Sequence, residues 1–414
     1  MKKKPVKGMK DMLPAEMQVR DYVTGLIKET YKSFGFSPIE TLCVEHIENL
    51  CSKQGGDNEK LIFKIMKRGD KLDVKNAESE SEVTDSGLRY DLTVPLSRFY
   101  ANHANELPSP FKALQIGSVW RADQPQHGRF RQFVQCDIDI LGEAGCLAEI
   151  ELILATTTLL GRLNFSNFKV RLNERRILKA MALYSGFAEE QFDQVFIILD
   201  KMDKIGWDGV KAELTETGFD MEKVERYIHM FAELQESEDG LGYLEEKLSG
   251  ILEDGVIGNL RTIRKSVESA KACEFELVFD PTLVRGMSYY TGTIFEIEME
   301  EFSSSVAGGG RYDRMIGKFT GKDVPACGFS IGFERIITIL MEQGFEIPGA
   351  SVKKAYLVEK KMPAEKLTEV LKEAKAEREN GVQVLVTMMN KNKKFQKEQL
   401  MKEGYEEFRE FFNR

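Results

Sequence analysis

FKALQIGSVWRADQPQHGRFRQFVQCDIDILG, residues 111–142, is the stretch from which the rest of the chain can be read. Its second half alternates from Arg131 to Leu141. Gln132, Val134, Cys136, Ile138 and Ile140 fall on one face of an extended strand, and Arg131, Phe133, Gln135, Asp137 and Asp139 fall on the other. A half-buried structural strand would give its second face to lysines and glutamates meeting water. An aromatic ring, an amide, two carboxylates and an arginine are better suited to holding a ligand. The segment Ala113 to Arg121 is also extended, and Gln124 to Arg129, with Pro125 and Gly128, is expected to join the two into a hairpin.

Arg121, Arg129 and Arg131 thus gather around one loop. Guanidinium forks match phosphate oxygens in pairs and stay charged, so a triphosphate would suit them. A salt-bridged surface hairpin is the alternative on the local pattern alone.

The chain has 414 residues, 42% hydrophobic and 30% charged, which predicts an ordered protein of two or three domains. No apolar run is long enough to span a bilayer. The start, MKKKPVKGMKDMLP, has the basic residues of a signal peptide without the apolar core that should follow, which predicts a cytoplasmic protein. Cys43, Cys51, Cys136, Cys146, Cys273 and Cys327 form no CxxC pair, and the four histidines form no HExxH, so neither a structural metal nor a disulfide framework is expected. The net charge of −9 argues against a nucleic-acid partner, but it is unevenly spread. From Lys353 onward 15 Lys and Arg face 11 Asp and Glu, an excess of +4 that leaves −13 for the preceding residues.

Taken in order, Pro14 opens an amphipathic helix on Val19, Tyr22, Val23, Leu26, Ile27 and Phe34, ended by Gly35. In LRYDLTVPLSRF, residues 88–99, Arg89, Asp91 and Thr93 are expected on one strand face before a helix beginning at Pro95. Asp91 and Thr93 could hold an ammonium group or cap that helix. Glu149 to Leu163 is helical, FKVRLN (168–173) is a strand, and Arg175 to about Ala272 has the pattern of a helical insertion. Strands resume in LVFDPTLVRGMSYYTGTIFEIEME, residues 277–300, whose Arg285, Tyr289 and Tyr290 could grip a planar polar ring. SSSVAGGGRYDRMIGKF (303–319) fails both the GxGxxG and the Walker spacing, and its glycines are expected to admit close backbone approach. VPACGFSIGFERIITILME (324–342) opens a helix that carries Arg335, either toward the hairpin or into a surface ion pair. From Lys353, KKAYLVE, a helix from Ala364 to about Asn380, the strand VQVLVTMM and a lysine-rich helix from Lys391 to Lys402 form a small α/β unit, with a boundary near Gly349.

These motifs, in this order, resemble the histidyl-tRNA synthetases, which are class II aminoacyl-tRNA synthetases. GMKDMLP, LRYDLTVP, the hairpin, LDKMDKIGW (199–207), LVRGMSYYTGTIFE, GGGRYD and GFSIGFERI all contribute, and LRYDLTVP and LDKMDKIGW are worded like the archaeal and eukaryotic branch. The resemblance implies an α+β fold: a class II antiparallel sheet flanked by helices, a helical insertion, and a small C-terminal α/β anticodon-binding-like domain. The catalytic domain would occupy 1–174 and 273–348, the insertion 175–272 and the last domain 349–414. It implies ATP-dependent activation of histidine to histidyl-adenylate and transfer to the 3′ end of tRNA(His). Mg²⁺ would ride on the ATP phosphates with no protein metal site, and the protein would be a homodimer.

Carried onto this chain, the resemblance gives Arg121, Asp123, Arg129, Phe133 and Arg335 to ATP. It gives Asp91, Thr93, Gln135, Asp139, Arg285, Tyr289 and Tyr290 to histidine, with Arg121 and Arg285 as the catalytic pair. Leu42 stands where the first class II motif usually has proline, and Ser288 where the family commonly has aspartate. The C-terminal domain is expected to be short. The other reading is a histidine-binding regulatory paralogue, of the ATP phosphoribosyltransferase regulatory subunit type, which would be free to lose the arginines that Arg121, Arg129, Arg285 and Arg335 retain.

Overall fold

The computed structural model describes residues 1–51, 58–285, 289–300, 305–349 and 352–413. The chain forms two compact units, one made of Met1–Lys10 with Gly25–Ile339 and the other of Asp11–Thr24 with Leu340–Arg414.

In chain order the strands of the first unit are β1 (Ser37–Pro38), β2 (Val44–His46), β3 (Lys64–Met66), β4 (Thr84–Leu88), β5 (Phe111–Trp120), β6 (Gln132–Leu141), β7 (Lys169–Glu174), β8 (Glu276–Phe279), β9 (Thr293–Glu298), β10 (Ala307–Arg311) and β11 (Ala326–Gly332). β2, β4 and β3 make a small antiparallel sheet, and the other eight form one sheet in the order β1-β5-β6-β11-β10-β9-β7-β8. Every pairing in the large sheet is antiparallel except β1 with β5 and β7 with β8. The hairpin expected from the opening stretch is β5–β6, in register from Phe111 opposite Leu141 to Trp120 opposite Gln132.

The central strands of this sheet are buried on both faces, which calls for helices to cover it. β6 is buried from Gln135 to Leu141 and β10 throughout. The helix Leu147–Arg162 is apolar nearly all round, as a helix enclosed by other elements must be. Its Glu149 takes two bonds of 2.7 Å from Arg311 at the end of β10. Both side chains are almost fully buried, so removing either would strand the other's charge. Six helices follow between Arg175 and Ala270, among them Arg175–Tyr184, Met221–Glu236 and Val256–Ala270. Their buried faces, with Tyr227, Phe231 and Leu260, continue the core under Leu283 and Tyr290.

Two expectations are corrected. Arg89, Asp91 and Thr93 do not share a strand: β4 ends at Leu88, and the helix Thr93–His103 begins two residues before Pro95. Asp91 Oδ1 accepts the Val94 N–H at 3.0 Å, and this local bond draws the chain into helix early.

In the second unit β12 (Lys353–Val358), β13 (Gln383–Met388) and β14 (Glu407–Phe411) form a parallel sheet in the order β13-β12-β14. The helices Ala364–Glu379 and Lys393–Lys402 supply the crossovers that parallel strands require. β14 is the second correction, since no strand was expected after the lysine-rich helix. Its residues are mostly charged or exposed, and only pairing with β12 makes it a strand.

Candidate active site

β6 gives the site its floor. Its odd-numbered face carries Phe133, Gln135, Asp137 and Asp139 in a row, and β11 and β10 lie beside it with Gly328, Gly308 and Gly309. Glycine is required here by space. A Cβ on Gly328 would stand 2.0 Å from Asp139 Oδ1, and one on Gly308 would stand 2.2 Å from Arg285 Nη1. The bare backbone at Gly328 admits the Asp139 carboxylate, and that at Gly308 of the GGG run admits the Arg285 guanidinium.

Two adjoining cavities lie on this floor. The inner one, of about 100 Å³, is lined by Asp91, Thr93, Asp137, Asp139, Tyr289 and Tyr290 among others. The outer one, of about 230 Å³, is lined by Asp123, Arg129, Phe130, Phe133, Glu334 and Arg335 among others. Arg121, Gln135, Arg285, Gly308 and Ser330 border both. The twelve residues that the resemblance assigned to ATP and histidine therefore all line one cavity or the other, although they come from four separate segments.

The outer cavity is cationic. Arg121 is held by its Nε bond to the Tyr90 carbonyl at 3.1 Å, and its guanidinium lies over the rings of Tyr90 and Phe133, 4.3 and 5.2 Å from their centroids. Arg129 donates twice to Asp123 Oδ2, at 3.1 and 2.8 Å. Arg335 donates to the Ser305 carbonyl. Burial, and then the charges of Arg129, Arg285 and Arg121, press its pKa below the ordinary arginine value, Glu296 opposing them. Cations gathered this closely would be relieved by a polyanion. Arg131, the third arginine of the hairpin, does not line either cavity. Its Nε donates to the Asp123 carbonyl at 3.0 Å, and its stem packs on Gly8.

The inner cavity is acidic and aromatic. Burial pushes the Asp139 carboxyl up to about 7, against the lowering effect of the Tyr312 hydroxyl, which donates to Oδ1 at 2.6 Å. Asp139 Oδ2 is buried without a hydrogen-bond partner. Burial, and then Asp139, also raise Asp137 well above the carboxylate range. Gln135 donates to Ser330 Oγ at 2.8 Å and to Asp137 Oδ1 at 3.4 Å. With both amide hydrogens used, its Oε1 is left facing Arg121 Nη2 at 3.4 Å. Tyr289 and Tyr290 stand with ring centroids 4.8 Å apart, and Tyr289 is hydrogen-bonded to Thr93.

Arg285 reaches between the two cavities. Its backbone is left-handed, with φ of 62°, and Nη1 donates to Glu296 Oε2 at 2.5 Å. A non-glycine residue in that region costs about 1–3 kcal/mol, a strain that concentrates at functional positions. Ser288, the position departing from the family pattern, lies outside the described residues.

Sequence reasoning gave no role to Asp137, Tyr312, Ser330, Glu296 or Glu334. Asp137 was visible in the alternation of β6. Glu334 accepts the Val134 N–H at 3.1 Å and so ties β6 to the helix of Arg335, a contact between residues 200 positions apart that no local pattern announces.

An antiparallel sheet whose hairpin carries Arg121 and Phe133, faced by a helix-borne arginine, is the architecture of a class II aminoacyl-tRNA synthetase. Within that class, the family model for histidyl-tRNA synthetase matches residues 8–336, and the chain belongs to this family. The histidine–tRNA ligase of Leifsonia xyli subsp. xyli is 48% identical over 344 residues, 81% of this chain and 80% of that one. That of Christiangramia forsetii is 37% identical over 357 residues, covering 82% and 76%. The crystal structure of histidyl-tRNA synthetase from Nostoc sp. PCC 7120 superposes with a TM-score of 0.77 at 27% identity, over 98% of this chain and 90% of that one. A Bacillus halodurans structure described as an ATP phosphoribosyltransferase regulatory subunit/histidyl-tRNA synthetase gives 0.76 at 21% identity, over 98% and 99%, a likeness of fold alone.

Proposed function

We propose that the chain activates histidine with ATP to histidyl-adenylate, releasing pyrophosphate, and passes the histidyl group to the 3′ end of tRNA(His), releasing AMP. The observation that carries this is the pair of adjoining cavities, one cationic and one acidic, which share Arg121, Gln135 and Arg285 at their border. A carboxylate attacking the α-phosphorus needs no protein nucleophile. It needs alignment of the two reactants and positive charge on the transferring group.

In this reading Phe133 and Arg335 sandwich the adenine, Arg121 holds the α-phosphate, and Arg129, fixed by Asp123, meets the outer phosphates. The histidine ammonium lies against Asp91, Thr93 and the Oε1 of Gln135, whose orientation makes it an acceptor. Asp139 takes an imidazole N–H on its unpartnered Oδ2, in the cavity that Tyr289 and Tyr290 line. Arg285, at the border, steadies the attacking carboxylate and the charge that develops on phosphorus. Among the described residues no group of three His, Cys, Asp or Glu could hold a metal ion. Mg²⁺ would be carried mainly by the ATP phosphates, where it offsets their charge.

In the same reading the protein acts as a homodimer and works in the cytoplasm, as its membership of the synthetase family suggests. No helix among the described residues is long and apolar enough to cross a membrane. Exchange of pyrophosphate into ATP, assayed with each amino acid separately, tests the central claim. Histidine alone should support exchange; exchange with another amino acid, or with none, would overturn it.

A further inference from the structure

The first ten residues carry Lys2, Lys3, Lys4, Lys7 and Lys10 and no acid, a charge of +5 that leaves −14 on the remainder of a chain totalling −9. They belong to the compact unit that holds the site, whereas Asp11–Thr24 belongs to the other. Nothing in the adenylation reading uses them. They are nevertheless pinned at one place. Val6–Met9 makes a turn closed by the Met9 N–H to the Val6 carbonyl at 2.9 Å. Gly8, with φ of +80°, then accepts the Arg131 backbone N–H at 2.7 Å. A Cβ on Gly8 would lie 2.8 Å from Arg131 Cγ and 2.9 Å from Pro125 Cγ, so glycine is what allows the segment to lie flat on the hairpin loop. Lys10 Nζ sits 5.9 Å over the ring of Phe130, which with Gly128 and Arg129 lines the outer cavity.

An exposed cationic strip is therefore fastened to the loop that borders the ATP-sized cavity. Its apolar content is Val6 and the two methionines, too little to anchor in a lipid surface. The strip suits a polyanion, and within the otherwise acidic unit that holds the site it would draw that polyanion to this mouth. Transfer requires the tRNA 3′ end to arrive within reach of the adenylate, at the same border. We propose that Met1–Lys10 is a docking surface for the sugar–phosphate backbone of the tRNA acceptor end; this rests on the synthetase reading above.

The test is the full chain with Lys2→Ala, Lys3→Ala, Lys4→Ala and Lys7→Ala combined, beside a second variant with arginine at the same four positions. All four lysines are exposed, and none touches the cavities. Histidine-dependent pyrophosphate exchange should stay within about twofold of the parent, while KM for tRNA rises about tenfold near 0.1 M salt. The salt slope of log kcat/KM for tRNA should become shallower by roughly 0.7–0.9 for each phosphate that the variant no longer neutralises. The arginine variant should keep the parental values. An unchanged tRNA KM and salt slope would overturn the proposal, and so would an equal loss of exchange and transfer, which would make the segment only a prop for the loop. Absence of exchange in the parent would instead overturn the activation reading itself, and this surface with it.

Discussion

Asp139 shows how a single side chain can be costly to the fold and useful to the site. Its folded pKa of about 7 lies above the ordinary carboxylate value because burial disfavours the charge. A carboxyl raised on folding holds its proton in the native state while the unfolded chain has lost it. Stability therefore falls as pH climbs from about 4 to about 7, and the full penalty is present above that. Asp139→Asn removes the titration and can still accept the Tyr312 hydroxyl. Its stability advantage over the parent, measured by denaturant unfolding, should be about 3 kcal/mol larger at pH 8 than at pH 5. Its KM for histidine should rise at least about tenfold, as expected when a charged acceptor is lost. An advantage equal at the two pH values would remove burial as the origin of the shift.

At the scale of elements, the site depends on two neighbouring strands, β11 and β10, staying thin where β6 is thick. Gly328 sits opposite Asp139 in the β11–β6 register, and Gly309 would place a Cβ 1.9 Å from the Gly328 carbonyl. Gly328→Ala must therefore move either β11 or the Asp139 carboxylate. Overpacking of this kind costs about 1–3 kcal/mol. The expected outcome is a folded protein with histidine KM raised and ATP KM little changed, read from exchange kinetics; equal effects on both substrates would mean that the sheet as a whole has shifted. The alternation from Phe133 to Asp139 announced the β6 face directly, because side chains on an extended strand point alternately whatever lies around them. Asp91 and Thr93 were harder. Their local pattern suited a strand, and the Asp91–Val94 bond turned it into the start of a helix that still lines the inner cavity.

For the molecule as a whole, the cavities belong to one unit and the parallel sheet of β12, β13 and β14 to the other. Removing the chain after Gly349 is expected to spare histidine-dependent exchange and to reduce transfer to tRNA by an order of magnitude or more, measured with the same preparation. Transfer that survives intact would exclude the second unit as a reader of tRNA. The order of the motifs, the hairpin and the face of β6 were legible in the residues themselves, because strand alternation, turn residues and helix periodicity act over a few neighbours. The motif content was also enough to place the chain in its family.

Which of those faces meet was settled by the packing of the whole chain. The strand order β6-β11-β10 brings Tyr312 and Gly328 to Asp139, and sets Arg285 across Gly308. The same packing gathers Arg121, Arg129, Arg285 and Arg335 about one cavity while turning Arg131 away toward Gly8. These contacts join residues far apart in the chain, and their geometry comes from sheet register and steric fit, which no short run of residues specifies.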